Sequence, residues 1–543
     1  MDRRNGSTLR EFIQNYKTDN PDDYREINQE ISAEYETTAY SVLRNDSNSM
    51  LMFNCLSGYR DFRLLTNVLG SERRIFYGTG TSDLRSFNER YARALSEYPS
   101  GSVTFQKGSA TFMERVMRDD SVDLYSIPVP SHYPSDGSKA GKSRYISSGI
   151  VAHRTLENPE IINLSFTRIQ PISKNMYAFD AGSHGHLWNY LNHASQKGEE
   201  VELTVMIGVH PLYYLLAASF TDREYDRAST FMDVELSRGL ENDIYLPHDA
   251  EIVLEARFKP GKNFDEGPFA EYTGYMGHDS TRYTAHVKSI LMRNDPIYYD
   301  IQPSNSSEHV NTFSMPRSAG IMGTLRDYMP RGTDFSVVWP HSGARFLSLG
   351  YVVPPSRGLA RQLGLGIMAL DPLWGKFIII NQGVAALDFT STLARLINTG
   401  EDYGEVFTRI PGVFVISSDF TAGKDGTTGK IIAVTDSSDE EFTTSISGRD
   451  LIVRAGKGEA VISHSYRNDR RINIIVGEDI DATDPEQVQW AVSTRVNPHT
   501  DVEISRNSIV IRADRVTPEV PALDKSAVER IRRLFPDSEA SGS

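Results

Sequence analysis

The stretch Asp265-Glu266-Gly267-Pro268-Phe269-Ala270-Glu271-Tyr272-Thr273-Gly274 limits what this chain can fold into more than any other. Gly267 and Pro268 rule out a regular helix, so two acids five residues apart must lie on a bent, extended segment. Residues 251–258 upstream and 284–291 downstream are rich in β-branched and aromatic types and read as strands. Two strands that carry a pair of carboxyls to an apolar turn suggest a site, although a loop Glu is ordinarily just solvated. A second segment, Asn163-Leu164-Ser165-Phe166-Thr167-Arg168-Ile169-Gln170, sets an Asn and an Arg in an otherwise apolar strand. Such an Arg snorkels to solvent, pairs with an acid or holds a ligand.

A chain of 543 residues can bury large cores and is expected to form two or more domains. Its 57 Lys and Arg against 72 Asp and Glu leave a formal charge of −15, which repels phosphate backbones and argues against nucleic acid or an anionic membrane as partner. A hydrophobic content of 39% suits a folded rather than a disordered chain. No apolar run approaches the ~20 residues of a membrane-spanning helix. Cys55 is the single cysteine and reads as a small buried hydrophobe. With the polar opening Met1-Asp2-Arg3-Arg4-Asn5-Gly6, it points to a reducing cytoplasm.

Hydropathy patterning predicts a mixed α/β and α+β multidomain chain. Residues 1–120 form an N-terminal α/β layer, with helical spacing over 9–44, a buried strand at 49–53 and a helix over 84–98. Residues 121–314 form a barrel-like β domain from strands at 145–151, 161–169, 201–207, 251–258 and 284–291, with a helix over 184–193. Residues 315–520 alternate strands at 345–352, 376–380 and 471–475 with helices at 385–396 and 484–494, as an α/β layered domain does. The Gly-, Asp- and Ser-rich region 400–468 reads as an insertion of short strands, 521–543 as a tail, and 537–543 as disordered.

Most familiar catalytic signatures are absent: a dinucleotide Gly-rich fingerprint, a CxxC zinc pattern, an HExxH helix and a Ser nucleophile elbow. Gly141-Lys142-Ser143 ends a loop with Asp136 where a P-loop needs Gly, and Gly364-x-Gly366 lacks the strand and helix context of a nucleotide site. An Asn, an Arg, a His and several Glu remain, clustered in the β-rich middle.

Taken in order, a set of motifs between Pro128 and Asp501 resembles the UbiD family of (de)carboxylases, which use prenylated FMN. They are Asn163-x4-Arg168, Ser183-x-x-His186-Leu187, Ile207-Gly208-x-x-Pro211, Glu251-Ile252-Val253-Leu254-Glu255 and the EGPFAEYTGY run at 266–275. Arg293-Asn294-Asp295-Pro296-Ile297-Tyr298, Glu308-His309, the 476–481 run and Val488-x-Trp490-Ala491-x-x-Thr494-Arg495 continue the match. The resemblance implies a central split β-barrel of the flavin-reductase type and a C-terminal αβα domain.

It also implies roles. Arg168, Glu266 and Glu271 match the family's catalytic set: a planar guanidinium to grip the substrate carboxylate, an acid to polarise it, and an acid to protonate the carbon that CO2 leaves. The last role calls for a dry pocket, for which Phe269 and Tyr272 are at hand. Asn163, His186 and Glu224 match the ligands of a divalent ion, Mn²⁺ or Mg²⁺, with K⁺ beside it, and Glu235 is the fallback for Glu224. Asn163, Ser165, Phe166, Thr167, Arg168, Gly185, His186, Ala218, Ser219 and Glu224 are the implied cofactor contacts. Arg357, in 352–358, stands where the family often carries a flavin-contacting Lys.

The expected activity is reversible, non-oxidative decarboxylation of an aromatic, heteroaromatic or α,β-unsaturated acid, since no side chain here is an electron sink for the carbanion. The resemblance further implies a homodimer or larger assembly and a prenyl-FMN synthase as cofactor supplier. Two alternatives stay open: a glycoside hydrolase that uses Glu266 and Glu271 as its acid pair, and a degenerate flavin-binding scaffold. Asn163 and Arg168 lie an odd number of positions apart, so a bulge or strand end near 165–167 is expected if both are to reach one cofactor.

Overall fold

The computed structural model describes residues 6–45, 47–97, 103–137, 144–182, 185–219, 221–371, 375–398, 406–414, 427–435, 451–453, 460–465, 470–482, 484–515 and 519–536. They fall into two compact units, 1–316 with 520–543 and 317–519.

The first unit opens on α1 (Leu9–Asp19), where Thr8 and Glu11 form a reciprocal capping box. β1 (Tyr24–Ile27), α2 (Glu36–Arg44), β2 (Met50–Phe53), β3 (Arg63–Thr66), α3 (Glu72–Thr79) and α4 (Leu84–Ser96) follow, then the short β4 (Val103–Phe105) and β5 (Arg115–Arg118). The central part runs β6 (Ile146–Arg154), β7 (Ile162–Ser173), β8 (Met176–Phe179), α5 (His186–Lys197), β9 (Val201–Ile207), α6 (Pro211–Ala217) and α7 (Glu224–Ala228). It continues with β10 (Val234–Arg238), β11 (Tyr245–Pro247), β12 (Ile252–Glu266), β13 (Ser280–Met292) and β14 (Ile297–Asp300).

Strands β12, β9, β6, β7, β8 and β13 pair in that order, and β12 also pairs with β13, so six strands close into a barrel with β5 added outside β13. Alternate residues fill its interior: Leu203, Val205 and Ile207 of β9, Ile252, Leu254, Ala256 and Phe258 of β12, and Ala285 and Val287 of β13 share one apolar cluster. Each of the larger of these side chains contributes about 1.5–3 kcal/mol by leaving water, which makes the period-two pattern decisive for register. β14 leaves the barrel to complete a four-stranded sheet in the order β1-β2-β3-β14.

Three expectations change in this unit. The helical spacing over 9–44 breaks after Asp19, where Pro21 starts a short turn and β1 pairs in parallel with β2. Cys55 is exposed, because it follows the last residues of β2 rather than lying within that buried strand. The supposed tail carries a helix over Lys525–Leu534 in which Ala527 and Ile531 pack into the barrel's apolar cluster and Phe535 meets Tyr40 edge-on. Residues 537–543, 183, 184 and 141–143 lie outside the described residues.

The division between the units falls inside α8 (Ser307–Tyr328). The second unit continues with β15 (Asp334–Val338), β16 (Leu347–Val353), α9 (Arg357–Leu370), β17 (Phe377–Gln382), α10 (Phe389–Asn398), β18 (Phe407–Phe414) and β19 (Thr427–Thr435). β20 (Leu451–Val453), β21 (Ala460–Ser465), β22 (Arg470–Val476), α11 (Pro485–Arg495), β23 (Val502–Ile504) and β24 (Ser508–Ala513) follow, and the 525–534 helix is α12. Two five-stranded sheets result, β15-β16-β17-β19-β18 and β20-β21-β22-β24-β23, with parallel pairing at β16–β17, β17–β19 and β22–β24. The described strands of 400–468 join these two sheets instead of forming a separate excursion. Gly364 and Gly366 lie within α9, and Arg357 is its first residue.

Candidate active site

The two longest barrel strands end at the EGPFAEYTGY run. Glu266 is the last residue of β12, paired with Ser280 at the start of β13, and residues 267–279 join them. Pro268 cannot donate to a ladder, which ends β12 there. Beyond it the chain folds into a tight hairpin: Ala270 bridges Met276, the Gly277 amide donates to the Phe269 carbonyl at 2.7 Å, and the Glu271 amide donates to Tyr275 at 2.8 Å. Gly274, at φ +86°, supplies the left-handed residue of that turn.

This geometry brings Arg168, Glu266 and Glu271 together. The Arg168 guanidinium donates from Nε and Nη2 to Glu266, at 3.1 and 3.0 Å, and from Nη1 to Glu271 Oε1 at 2.7 Å. Arg282 shares Glu266, donating from Nε to Oε2 at 2.6 Å, and reaches Asp180 at 2.7 Å from Nη1. Glu266 is 1% exposed and Glu271 22%, so the first acid is sealed behind the guanidinium and the second opens to the outside. Burial works against the Arg168 charge, but Glu271, Glu266 and Asp180 outweigh it and hold the group protonated well above its usual range. The Arg168 guanidinium also lies over the Phe269 ring at 5.1 Å, and Tyr145 packs on the same ring at 4.6 Å. Tyr145, Phe269, Ala270 and Tyr275 are buried, which gives the apolar wall that a proton-delivering acid needs.

Asn163 and Glu224 form a second cluster. Asn163 Nδ2 donates to Glu224 Oε1 at 2.5 Å and to the Thr221 carbonyl at 3.3 Å. Burial pushes the Glu224 carboxyl well above its ordinary range. Asn163 Oδ1 and Glu224 Oε2 are buried and make no hydrogen bond of full geometry to the protein, with the His153 ring and the Leu164 amide as their polar neighbours. A buried amide oxygen and a buried carboxyl oxygen side by side match the donor chemistry of a hard divalent cation, so these two residues fit the implied metal. His186 is exposed at the first turn of α5, behind its cap Gly185. Glu235 faces solvent on β10, which leaves Glu224 as the acid beside Asn163. Among the described residues no group of three or more His, Cys, Asp or Glu is arranged to hold a metal.

The other expected cofactor contacts each have protein neighbours of their own. Ser165 lies 3.3 Å from His153 Nε2, Thr167 donates to the Asp180 carbonyl at 2.6 Å, and Phe166 sits edge-on to Tyr214 at 6.4 Å. Ala218 caps the end of α6, and Ser219 is 2.9 Å from the Tyr91 hydroxyl. The bulge expected near 165–167 is not on β7, whose residues 162–167 pair one-for-one with β6. The extra residue is on β6, where Ser147 and Ser148 face Arg168 alone, so Asn163 and Arg168 keep opposite parity and join separate clusters.

Sequence reasoning missed Arg282, His153 and Asp136. Arg282 stands two residues beyond Ser280, hence on its face and diagonal to Glu266, a signal that counting along the hairpin would have given. His153 is directly opposite Asn163, and burial lowers its imidazole to about 4, so the ring is neutral. Asp136 carried no signal beyond failing to be a P-loop glycine.

The chain belongs to the UbiD family, whose members are carboxy-lyases. Family models for the 3-octaprenyl-4-hydroxybenzoate carboxy-lyase N-terminal, Rift-related and C-terminal domains match residues 17–96, 103–306 and 458–527. The anhydromevalonate phosphate decarboxylase of Methanosarcina mazei is 25% identical over 430 residues, covering 78% of this chain and 94% of that protein. The UbiD-class enzyme HmfF of Pelotomaculum thermopropionicum, solved with FMN, superposes with a TM-score of 0.72 at 21% identity, covering 82% of this chain and 97% of that one. Apo 3,4-dihydroxybenzoic acid decarboxylase (AroY) of Klebsiella pneumoniae gives 0.71 at 21% identity, covering 79% and 94%.

Proposed function

We propose that the chain uses prenylated FMN to decarboxylate, reversibly and without net oxidation, an aromatic, heteroaromatic or α,β-unsaturated acid. The observation that carries this reading is the single guanidinium of Arg168 held by Glu266 on one side and Glu271 on the other. A substrate carboxylate competes with Glu271 for the Nη face of Arg168, while Glu266 and Arg282 keep the guanidinium oriented. Once displaced from the guanidinium, Glu271 is the group placed to hand a proton to the carbon that loses CO2. The Tyr145 and Phe269 wall excludes water from that transfer. Bound cofactor would supply the electron sink that no side chain offers. Asn163 and Glu224, with His186, would hold Mn²⁺ or Mg²⁺ at the cofactor's phosphate, with K⁺ nearby, and Ser165, Phe166, Thr167, Gly185, Ala218 and Ser219 would line the cofactor.

Relatives solved with FMN and with prenylated FMN support the cofactor, and the names of the 3,4-dihydroxybenzoic and vanillic acid decarboxylases support an aromatic acid. An evolved dimeric form of HmfF supports assembly into a homodimer or larger oligomer, and a prenyl-FMN synthase would be the partner in supply. The hydrolase reading of Glu266 and Glu271 is not favoured, because both acids grip one guanidinium instead of flanking an open cleft.

The test is expression with and without a prenyl-FMN synthase, followed by visible spectrum, native mass and CO2 release from a panel of aromatic and unsaturated acids, with glycosides alongside. Cofactor-dependent colour and CO2 release are expected. A colourless protein that cleaves glycosides, or a coloured one inert to every acid, would refute the reading.

A further inference from the structure

The loop before β6 touches the acid-bearing hairpin at Gly267, Pro268 and Ala270. Asp136 is fully buried, and its carboxylate takes two backbone amides: Ala270 N–H at 3.0 Å on Oδ1, and Tyr133 N–H at 3.2 Å on Oδ2. Next to it, the Gly137 amide donates to the Pro268 carbonyl at 2.7 Å. Gly267 lies so close to Gly137 that a Cβ on Gly267 would sit 2.9 Å from its backbone. From the other side the Ser304 amide donates to the Ala270 carbonyl at 3.2 Å. Residues 267, 268 and 270 are thereby fixed between the two acids, and Glu271 is the next residue along.

We infer that Asp136 is a positioning residue for the decarboxylation proposed above: by holding the Ala270 amide it sets where the Glu271 carboxyl stands relative to Arg168. Its own hydrogen bonds run to backbone amides. Its effect reaches the reaction through one peptide unit, and a displacement of about 1 Å at a reacting group costs on the order of a hundredfold in rate.

The ionised carboxylate accepts both amides at full strength, whereas the protonated group leaves one of them a weak hydroxyl acceptor. Burial pushes the Asp136 carboxyl up to about 6, opposed by His132, the Ala270 and Tyr133 amides and Arg168. Tyr133 and Tyr145 also face it, and Asp300 stands behind His132, with His309 within reach of that imidazole. The folded-state value is raised, so the two-amide clamp is present above about pH 6 and lost as pH falls through it.

Asp136→Asn keeps the shape but turns an NH2 toward one of the two amides. In cofactor-loaded protein it should keep the parent's visible spectrum and KM, lose at least about tenfold in kcat, and lose the parent's fall in kcat below pH 6. Hydrogen exchange over 267–277 should quicken. The parent itself should exchange faster there at pH 5 than at pH 7.5 once intrinsic rates are corrected, a measurement that needs no variant to fold. Unchanged exchange in both comparisons overturns the assignment, as does a kcat and pH profile equal to the parent's. If the parent releases no CO2 from any acid, the functional reading fails, and exchange alone still decides the clamp.

Discussion

Glu266 is the carboxylate whose removal should be felt most sharply. It is 1% exposed and lies between two guanidiniums, Arg168 at 14% and Arg282 at 18% exposure, accepting at 3.0, 3.1 and 2.6 Å. Breaking a fully buried pair costs about 3–5 kcal/mol. In Glu266→Gln one carbonyl acceptor survives, Arg168 keeps Glu271 and Arg282 keeps Asp180, so about 2 kcal/mol is the expected loss, close to one charge-assisted hydrogen bond. Turnover should fall much further, on the order of a hundredfold, because Arg168 would swing toward Glu271 and off the substrate carboxylate. Urea unfolding followed by circular dichroism gives the first quantity, and CO2 release from cofactor-loaded protein at saturating acid gives the second. Stability within about 0.5 kcal/mol of the parent, together with full turnover, would show that Glu266 does not orient Arg168.

Three further outcomes are expected. Arg168→Lys keeps the charge but loses the fork that binds Glu266 through two nitrogens, so turnover should collapse while the protein still folds, with a stability loss comparable to that of Glu266→Gln. Glu271→Gln, at a site 22% exposed, should cost less stability than Glu266→Gln and abolish CO2 release with the flavin spectrum retained; loss of flavin would make Glu271 structural. Glu224→Gln removes the carboxyl beside Asn163, so affinity for divalent metal, followed as metal per protein by mass spectrometry after dialysis, should fall at least about 10- to 100-fold, and unchanged retention would move the metal elsewhere.

The barrel was readable because its strands are half-buried and period-two, so Leu203, Val205 and Ile207 or Ile252, Leu254 and Ala256 announce themselves. The reading stopped β12 at 258, since Pro260 and Gly261 look like a strand's end. The pairing resumes at Asn263 after a register shift and carries Glu266 to the site. Helix α9 was missed because Pro354, Pro355 and three glycines obscure its apolar face, which only packing against β17 restores. The trio Arg168, Glu266 and Glu271 was legible as a family pattern, whereas the Asp136 clamp was not. Its contacts run to backbone amides, which no side-chain pattern encodes.

The barrel-end cluster joins two guanidiniums, Arg168 and Arg282, to three carboxylates, Glu266, Glu271 and Asp180. It is already one negative charge in excess before any acid arrives. A carboxylate ligand docking on Arg168 raises that excess to two in a largely water-poor space, and the least costly remedy is for a hydrogen ion to enter with it. Ligation should therefore consume protons from the medium, visible as a binding heat that changes with the ionisation enthalpy of the buffer.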